Sequence, residues 1–326
     1  MTTTRRAALL LPALALPPLA RPALAQPAWP SQPLRLVCPF AAGGPTDVAA
    51  RLVAEALSAQ LPQRVVVENR TGAGVVVGTE AVASARDGHT FLYSTIAHAV
   101  LRPLFATLPF DPVADFRPTA LVGLIPMLMM VNNDVPARDL RGLVALFRDN
   151  PGRFDYGSSG QGGAVHLATE LFLHQAGNLR VNHIPYRGSA PAMPDLLSGR
   201  LAMILNVASD GIAPTQRGTT RGFAVTGERR MAQLPEVPTF AEAGLPGYEA
   251  YTWHMVLSPA ATPPEVVARL NAAVNAAVGE ERMRRRLEDL AMQPRSGGGP
   301  EAAAEWLRAE TAKWTQVIRD SRISVS

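Results

Sequence analysis

The chain has 326 residues, 47% of them hydrophobic, with 31 Lys+Arg against 27 Asp+Glu and a formal net charge of +4. That length fits roughly two domains with ample core, and nothing beyond the N-terminal segment is long and apolar enough to cross a bilayer. No basic stripe interleaves with aromatics, which excludes the usual nucleic-acid surface; Arg282, Arg284, Arg285 and Arg286 alternate with Glu280, Glu281, Glu288 and Asp289 and read as the solvated face of a helix.

The N-terminus has the three parts of a secretory signal. Arg5 and Arg6 form a positive n-region, Ala7 to Ala20 is an uncharged Ala/Leu/Pro run, and Ala23-Leu24-Ala25 offers the cleavage site. The run falls short of the roughly 20 residues of a membrane span and is broken by Pro12, Pro17 and Pro18, so residues 1–25 are expected to be removed after about Ala25. Thr4-Arg5-Arg6-Ala7-Ala8-Leu9-Leu10 also has the twin-arginine order, so both export routes stay open. Losing Arg5, Arg6 and Arg21 leaves 28 basic against 27 acidic side chains, a balance of about +1. Cys38, the single cysteine, lies in an apolar run, reads as a small buried hydrophobe and has no partner for an internal disulfide.

The mature part alternates short apolar runs with helical patterns. Leu34–Phe40 is a predicted strand, followed by the turn Ala41-Ala42-Gly43-Gly44-Pro45 and a helix over Thr46–Gln60 capped by Thr46 or Asp47. Val65–Glu68 is the second strand; the Gly72-Ala73-Gly74 turn opens a helix through Ala85, and Thr90–Ser94 is the third strand. This β-α-β-α-β order implies a parallel sheet with right-handed crossovers. A second unit follows: Ala120–Val131 as strand material, a helix over Leu140–Asp149, a strand over Phe154–Gly157, the turn Ser158–Gly163, and a helix over Ala164–Gln175. Asn182–Tyr186, Leu201–Asn206 and Gly222–Thr226 are further strands, and Pro191–Ser198 is a helix. Helices over Glu265–Val278 and Pro300–Ile318 close the chain, the last carrying Trp306 and Trp314.

Parallel α/β sheets place ligands at the carboxyl ends of strands, which points to the loops at residues 41–47, 94–98 and 158–164. Two of these put glycines between a strand end and a helix start, where unpartnered amides and about half a unit of positive charge accommodate an anion without a lysine. Ordinary βα turns are the other reading of the same residues. Asp47 reads as an N-cap or first-turn acid rather than a general base, and His98 and His166 are candidates to line a cleft. Catalytic patterns fail: Gly157-Ser158-Ser159-Gly160-Gln161 lacks the last glycine of a nucleophile elbow, and Gly43-Gly44-Pro45-Thr46 lacks the P-loop lysine. The six histidines form no H-x-x-x-H or H-E-x-x-H pair, so a metal site is not indicated.

Pro39-Phe40-Ala41-Ala42-Gly43-Gly44-Pro45-Thr46-Asp47 resembles the signature of the Bug-type periplasmic receptors, the solute-binding proteins of tripartite tricarboxylate transporters. The similarity continues through Val67-Glu68-Asn69-Arg70, Leu108-Pro109-Phe110-Asp111-Pro112, Tyr156-Gly157-Ser158 with His166-Leu167-Ala168, Pro185-Tyr186-Arg187-Gly188-Ser189-Ala190-Pro191, and Gly244-Leu245-Pro246-Gly247-Tyr248. The resemblance implies a type II periplasmic-binding-protein fold, with two α/β domains hinged around a central cleft and no cofactor. Domain I would comprise 26–131 plus 252–326 and domain II 132–251, with crossings near Val131 and Tyr248–Trp253. It implies ligand binding by Phe40, Ala42, Gly43, Gly44, Thr46, Asp47, Thr95, Ser158, Gly160, Gly162, His166, Asn206 and Trp253, with backbone amides and bridging water gripping a carboxylate. Expected partners are a small organic acid and the membrane subunits of a tripartite transporter, or alternatively a sensor kinase; no nucleic acid partner is expected, and the receptor should be monomeric. A periplasmic enzyme on the same fold is the remaining alternative, without an assembled catalytic constellation. Departures from the pattern at Gly163, Ala164, Val165, Ala202, Leu205, His254 and Met255 make the far side of the pocket more apolar. They predict a monocarboxylate or an aromatic or amphipathic acid over a citrate-like polyanion.

Overall fold

The computed structural model describes residues 29–323. The expected signal at 1–25 therefore lies outside the described residues. In chain order the elements are β1 (Leu34–Cys38), α1 (Pro45–Gln60), β2 (Val65–Asn69), α2 (Val76–Ala83), β3 (Thr90–Thr95) and two short helical turns, α3 (Ile96–Ala99) and α4 (Leu101–Leu104). There follow β4 (Phe116–Val131), α5 (Leu140–Asp149), β5 (Asp155–Ser158), α6 (Ala164–Gln175), β6 (Asn182–Pro185), α7 (Met193–Leu197), β7 (Met203–Val207), α8 (Ala208–Gln216) and β8 (Arg221–Val225). The last are β9 (Tyr251–Pro259), α9 (Pro264–Gly279), α10 (Glu281–Asp289), β10 (Gln293–Pro294) and α11 (Pro300–Asp320).

β1 pairs in parallel with β2 on one side and β3 on the other, as the alternating pattern requires. β3 is buried along its whole length and β1 at every position but Arg35, which is why both read as continuous apolar runs. β5 likewise pairs in parallel with β6 and β7. These two parallel units are joined by antiparallel β4 and β9.

β4 is the architectural centre. At 16 residues it is far longer than the usual strand of about 5–6, because it serves two sheets in turn. Phe116–Pro126 pairs with β9, and Met127–Val131 pairs with β7 on one side and β8 on the other. The partners change between Pro126 and Met127, upstream of Val131. The chain returns at Tyr251, opposite Pro126. The result is two lobes, β2-β1-β3-β9-β4 and β4-β7-β5-β6, hung on one strand.

α11 packs against β4, α3 and α6, so it reaches across both lobes. It buries Trp314, while Trp253 of β9 is buried beneath it, and both indole N–H groups donate to the buried Glu310 carboxylate, at 2.8 and 2.9 Å. Lys313 pairs with the same carboxylate. Burying each such aromatic is worth about 2–3 kcal/mol, and satisfying the indole N–H groups keeps that gain. On α10, Met283 and Leu287 face the core, while Arg284, Arg285 and Arg286 pair outside with Glu288, Glu281 and Glu55. Cys38 is fully buried, and burial raises its thiol pKa to about 11. No helix among the described residues is long and apolar enough to cross a membrane.

Candidate functional site

Between the lobes lies a cavity of about 550 Å³. Its walls come from the loops after β1, β3, β5 and β7, the carboxyl ends of the parallel strands, and from Thr252 and His254 of β9.

The loop after β1 turns at Gly43, whose φ of +78° is a conformation that side chains other than glycine's resist. Pro45 occupies the first helical position of α1 and Gly44 is the N-cap, with no side-chain capping bond. The expected cap at Thr46 or Asp47 is thus displaced: the proline fixes the helix start one residue earlier. Asp47 is instead a buried first-turn acid whose carboxylate accepts from Gly43 N (2.8 Å), Arg51 Nε (2.9 Å) and Asn69 Nδ2 (2.8 Å). Burial alone would raise its pKa, but these donors outweigh it and hold the group below the ordinary carboxylate value. Asn69 Nδ2 also donates to Phe40 O (3.0 Å), so one network fixes the whole turn. The first helical bond runs from Val48 N to Gly44 O, which leaves the preceding amides of Thr46 and Asp47 ahead of the ladder.

The loop after β5 repeats this geometry. Gly162 turns at φ +70°, Gly163 is the N-cap of α6 with φ and ψ within a few degrees of Gly44's, and Gly162 N donates to His166 Nδ1 at 2.9 Å. The acceptor is again the side chain four residues on. His166 is buried and stacked face to face on His183, with ring centroids 3.8 Å apart. His183 Nε2 is hydrogen-bonded to Ser158 Oγ (2.6 Å), which also bonds the backbone of Gly160. Burial lowers both imidazole pKa values to about 4, so both rings are neutral near pH 7, as acceptance at His166 Nδ1 requires.

Of the residues singled out in the sequence, Phe40, Thr46, Thr95 and Gly162 line the cavity. Thr95 also caps α3, its Oγ accepting from Ala97 N at 3.3 Å. Ala42, Gly43 and Gly44 form the turn between the lining residues Phe40 and Pro45, and Gly160 lies between the lining residues Ser159 and Gln161. Asp47, Ser158 and His166 sit behind the loops as their anchors. Asn206 is buried; its Oδ1 accepts from Ser189 Oγ and Val207 N, both at 2.8 Å. Trp253 is off the cavity, because strand alternation turns it toward α11 and gives the cavity Thr252 and His254. His98 is buried away from it, with Nε2 hydrogen-bonded to Pro112 O and its ring edge-on to Phe116. His254 lines the cavity and bonds Tyr93 OH at 3.0 Å, and burial lowers its pKa to about 3.

The departures noted in the sequence divide in the same way. Gly163 and Ala164 face the cavity, whereas Val165, Ala202, Leu205 and Met255 are core. Ser189, Ser209 and Asp210 line the cavity without having been anticipated. Ser189 falls in the Tyr186–Pro191 run already singled out. Asp210 had no sequence signal, because α8 contains Gly211 and Pro214 and does not read as a helix.

Among the described residues no Lys or Arg lines the cavity. Two helix starts face this one space, each with roughly half a unit of positive charge and amides ahead of the ladder, a chemistry that suits an anion. Among the described residues no group of three or more His, Cys, Asp or Glu side chains is gathered as a metal site.

Two α/β lobes hung on a shared strand, with a cavity at their strand ends, define a solute-binding receptor of the two-domain periplasmic-binding-protein fold. Residues 49–323 match TctC, the tripartite tricarboxylate transporter family receptor, and the chain belongs to that family, as a Bug-type receptor and not an enzyme. It is 38% identical over 301 residues to the UPF0065 protein in the tcbD-tcbE intergenic region of a Pseudomonas sp., covering 92% of this chain and 89% of the relative. Protein BugT of Bordetella pertussis is 34% identical over 298 residues, 90% of each chain. The solved structure of R. palustris Rpa4515 with adipate superposes with a TM-score of 0.79 at 34% identity, covering 91% of this chain and all of that one.

Proposed function

We propose that this chain is an exported, monomeric receptor that captures a small monocarboxylate between the starts of α1 and α6 and hands it to the membrane subunits of a tripartite transporter. The observation that carries the reading is the repeated loop design: two glycine-capped helix starts from opposite lobes, lining one cavity. The adipate-bound relative supports a carboxylate as the ligand class. The lack of a lining Lys or Arg favours one carboxylate over several, since each further charge would have to be desolvated without a countercharge. In this reading the lobes close about Pro126–Met127 and Ala250–Tyr251, and residues 1–25 are removed on export.

The test is calorimetric titration of the mature protein with hexanoate, benzoate, adipate and citrate, beside Ala164→Asp. Ala164 lines the cavity at the first position of α6. An acid there is tolerated by the helix, so the variant should melt normally while its affinity falls by roughly 100-fold or more. Unchanged binding by the variant would sink the site, and citrate binding above the monocarboxylates would sink the ligand class.

A further inference from the structure

One wall of the cavity carries a charge that anion capture does not use. Asp210, in the first turn of α8, is the one acidic side chain among the described residues lining the cavity, which include no Lys, Arg or Glu, while burial holds His254 neutral beside Tyr93. Its side chain opens to the cleft and makes no ion pair among the described residues. Asn206 Nδ2 reaches its Oδ2 at only 3.4 Å, and that amide is itself fixed through Oδ1 by Ser189 and Val207. The carboxylate is therefore aimed from a rigid support into the space where the solute sits.

A cavity that takes an anion on amides and also presents an acid is complementary to a molecule with both signs of charge. We infer that Asp210 is a specificity-determining residue, and that the solute carries an ammonium group besides its single carboxylate, as an amino acid does. This rests on the carboxylate-binding cleft proposed above and names the other end of the ligand. A second carboxylate near Asp210 would meet like charge in a partly desolvated site, whereas an ammonium group would form a charge-assisted hydrogen bond. Burial raises the Asp210 carboxyl above its ordinary pKa, opposed by the neighbouring Asn206 and Ser209 side chains, so its charged form gains from a cationic partner. The plainer role for an acid in a first helical turn is to favour the helix dipole. That role predicts a change in melting temperature on substitution, and no change in ligand preference.

The experiment compares matched ligands on the mature protein by calorimetry: 6-aminohexanoate with hexanoate and adipate, and phenylalanine with 3-phenylpropionate. Wild type should favour at least one amino acid over its deamino partner and over adipate by roughly tenfold or more, the size of a charge-assisted contact. Asp210→Asn should erase that margin while leaving the deamino acids within about threefold. Asp210→Ser repeats the comparison if the amide variant melts early. Equal or better binding of the deamino acids or adipate by wild type, or an ammonium preference that survives both variants, would overturn the inference and leave the carboxylate cleft standing. Silence across all five ligands would overturn both.

Discussion

The loops after β1 and β5 reach the same backbone shape with opposite chemistry. Each turns at a left-handed glycine, caps its helix with a second glycine, and ties the first glycine's amide to a side chain four residues on. In one lobe that side chain is the Asp47 carboxylate, held by Arg51 and Asn69; in the other it is the neutral His166 imidazole, stacked on His183. In the proposed anion site, shape and charge are thus set separately. The α1 start carries a buried acid next to the amides it offers, which would offset part of its attraction for a carboxylate. The α6 start carries none, so it should be the stronger half of the grip.

The most damaging way to break the symmetry is Asp47→Ala. It strips the acceptor from Gly43, Arg51 and Asn69 together, and should cost about 2–4 kcal/mol in chemical denaturation. His166→Ala removes one acceptor and one stacked ring and should cost about 1–3 kcal/mol. His166→Asp sharpens the comparison, because it copies the first loop's chemistry into the second. Glu170 stands four residues on, where Arg51 stands for Asp47, so the new acid would meet His183 and the Glu170 carboxylate that accepts from Tyr156 OH. It should weaken hexanoate binding more than His166→Ala does; equal effects in titration would show that the charge behind the loop does not matter.

The shared geometry was legible in outline because glycine placement is written directly in the sequence: Gly43-Gly44-Pro45 and Gly162-Gly163 mark both helix starts. The parallel strands were legible because burial on both faces makes them continuous apolar runs. β9 was not, since Tyr251–Pro259 mixes Thr, His and Ser into a buried strand whose polar groups are satisfied by distant partners such as Tyr93 and Thr119. The same reason hid the anchors. Asp47, Ser158 and His166 look like ligand contacts when only their loop is known, and the structure turns each toward Asn69, His183 or Gly162. Asp210 was invisible because its helix contains a glycine and a proline, and only the fold brings it to the cavity.

Acid should separate the two loops without mutation. His166 and His183 have folded pKa values of about 4 against an ordinary value of 6.5, so the unfolded chain binds their protons first. Their stabilising neutrality is complete above about pH 6.5 and is lost as pH falls toward 4. Asp47 has a lowered pKa, so its contribution is present above its ordinary 3.8 and is lost only below that. His98 and His254 destabilise the first lobe's core in the same direction as the His pair, so global melting cannot distinguish the loops. Hydrogen exchange can. Corrected for intrinsic rates, the Gly162 amide should lose protection between pH 6.5 and 4 while Gly43 keeps its own; simultaneous loss would show that the histidine does not hold the second loop.

The smallest expected effect tests what holds the acid itself. Arg51 is about half exposed (52%), and Asp47 keeps Gly43 and Asn69 without it. Arg51→Ala should therefore cost less stability than any substitution above, as expected of a pair with one partner in water and screened by it. It should also raise the Asp47 pKa toward its ordinary value, since one of the donors outweighing burial is gone. The acid limb of the Gly43 exchange profile, which begins at the ordinary 3.8, would then become shallower and end at a higher pH, still below the window of Gly162. An unmoved limb would mean that the backbone amide and Asn69 alone set the carboxylate's charge, and that the first loop is as independent of a cation as the second.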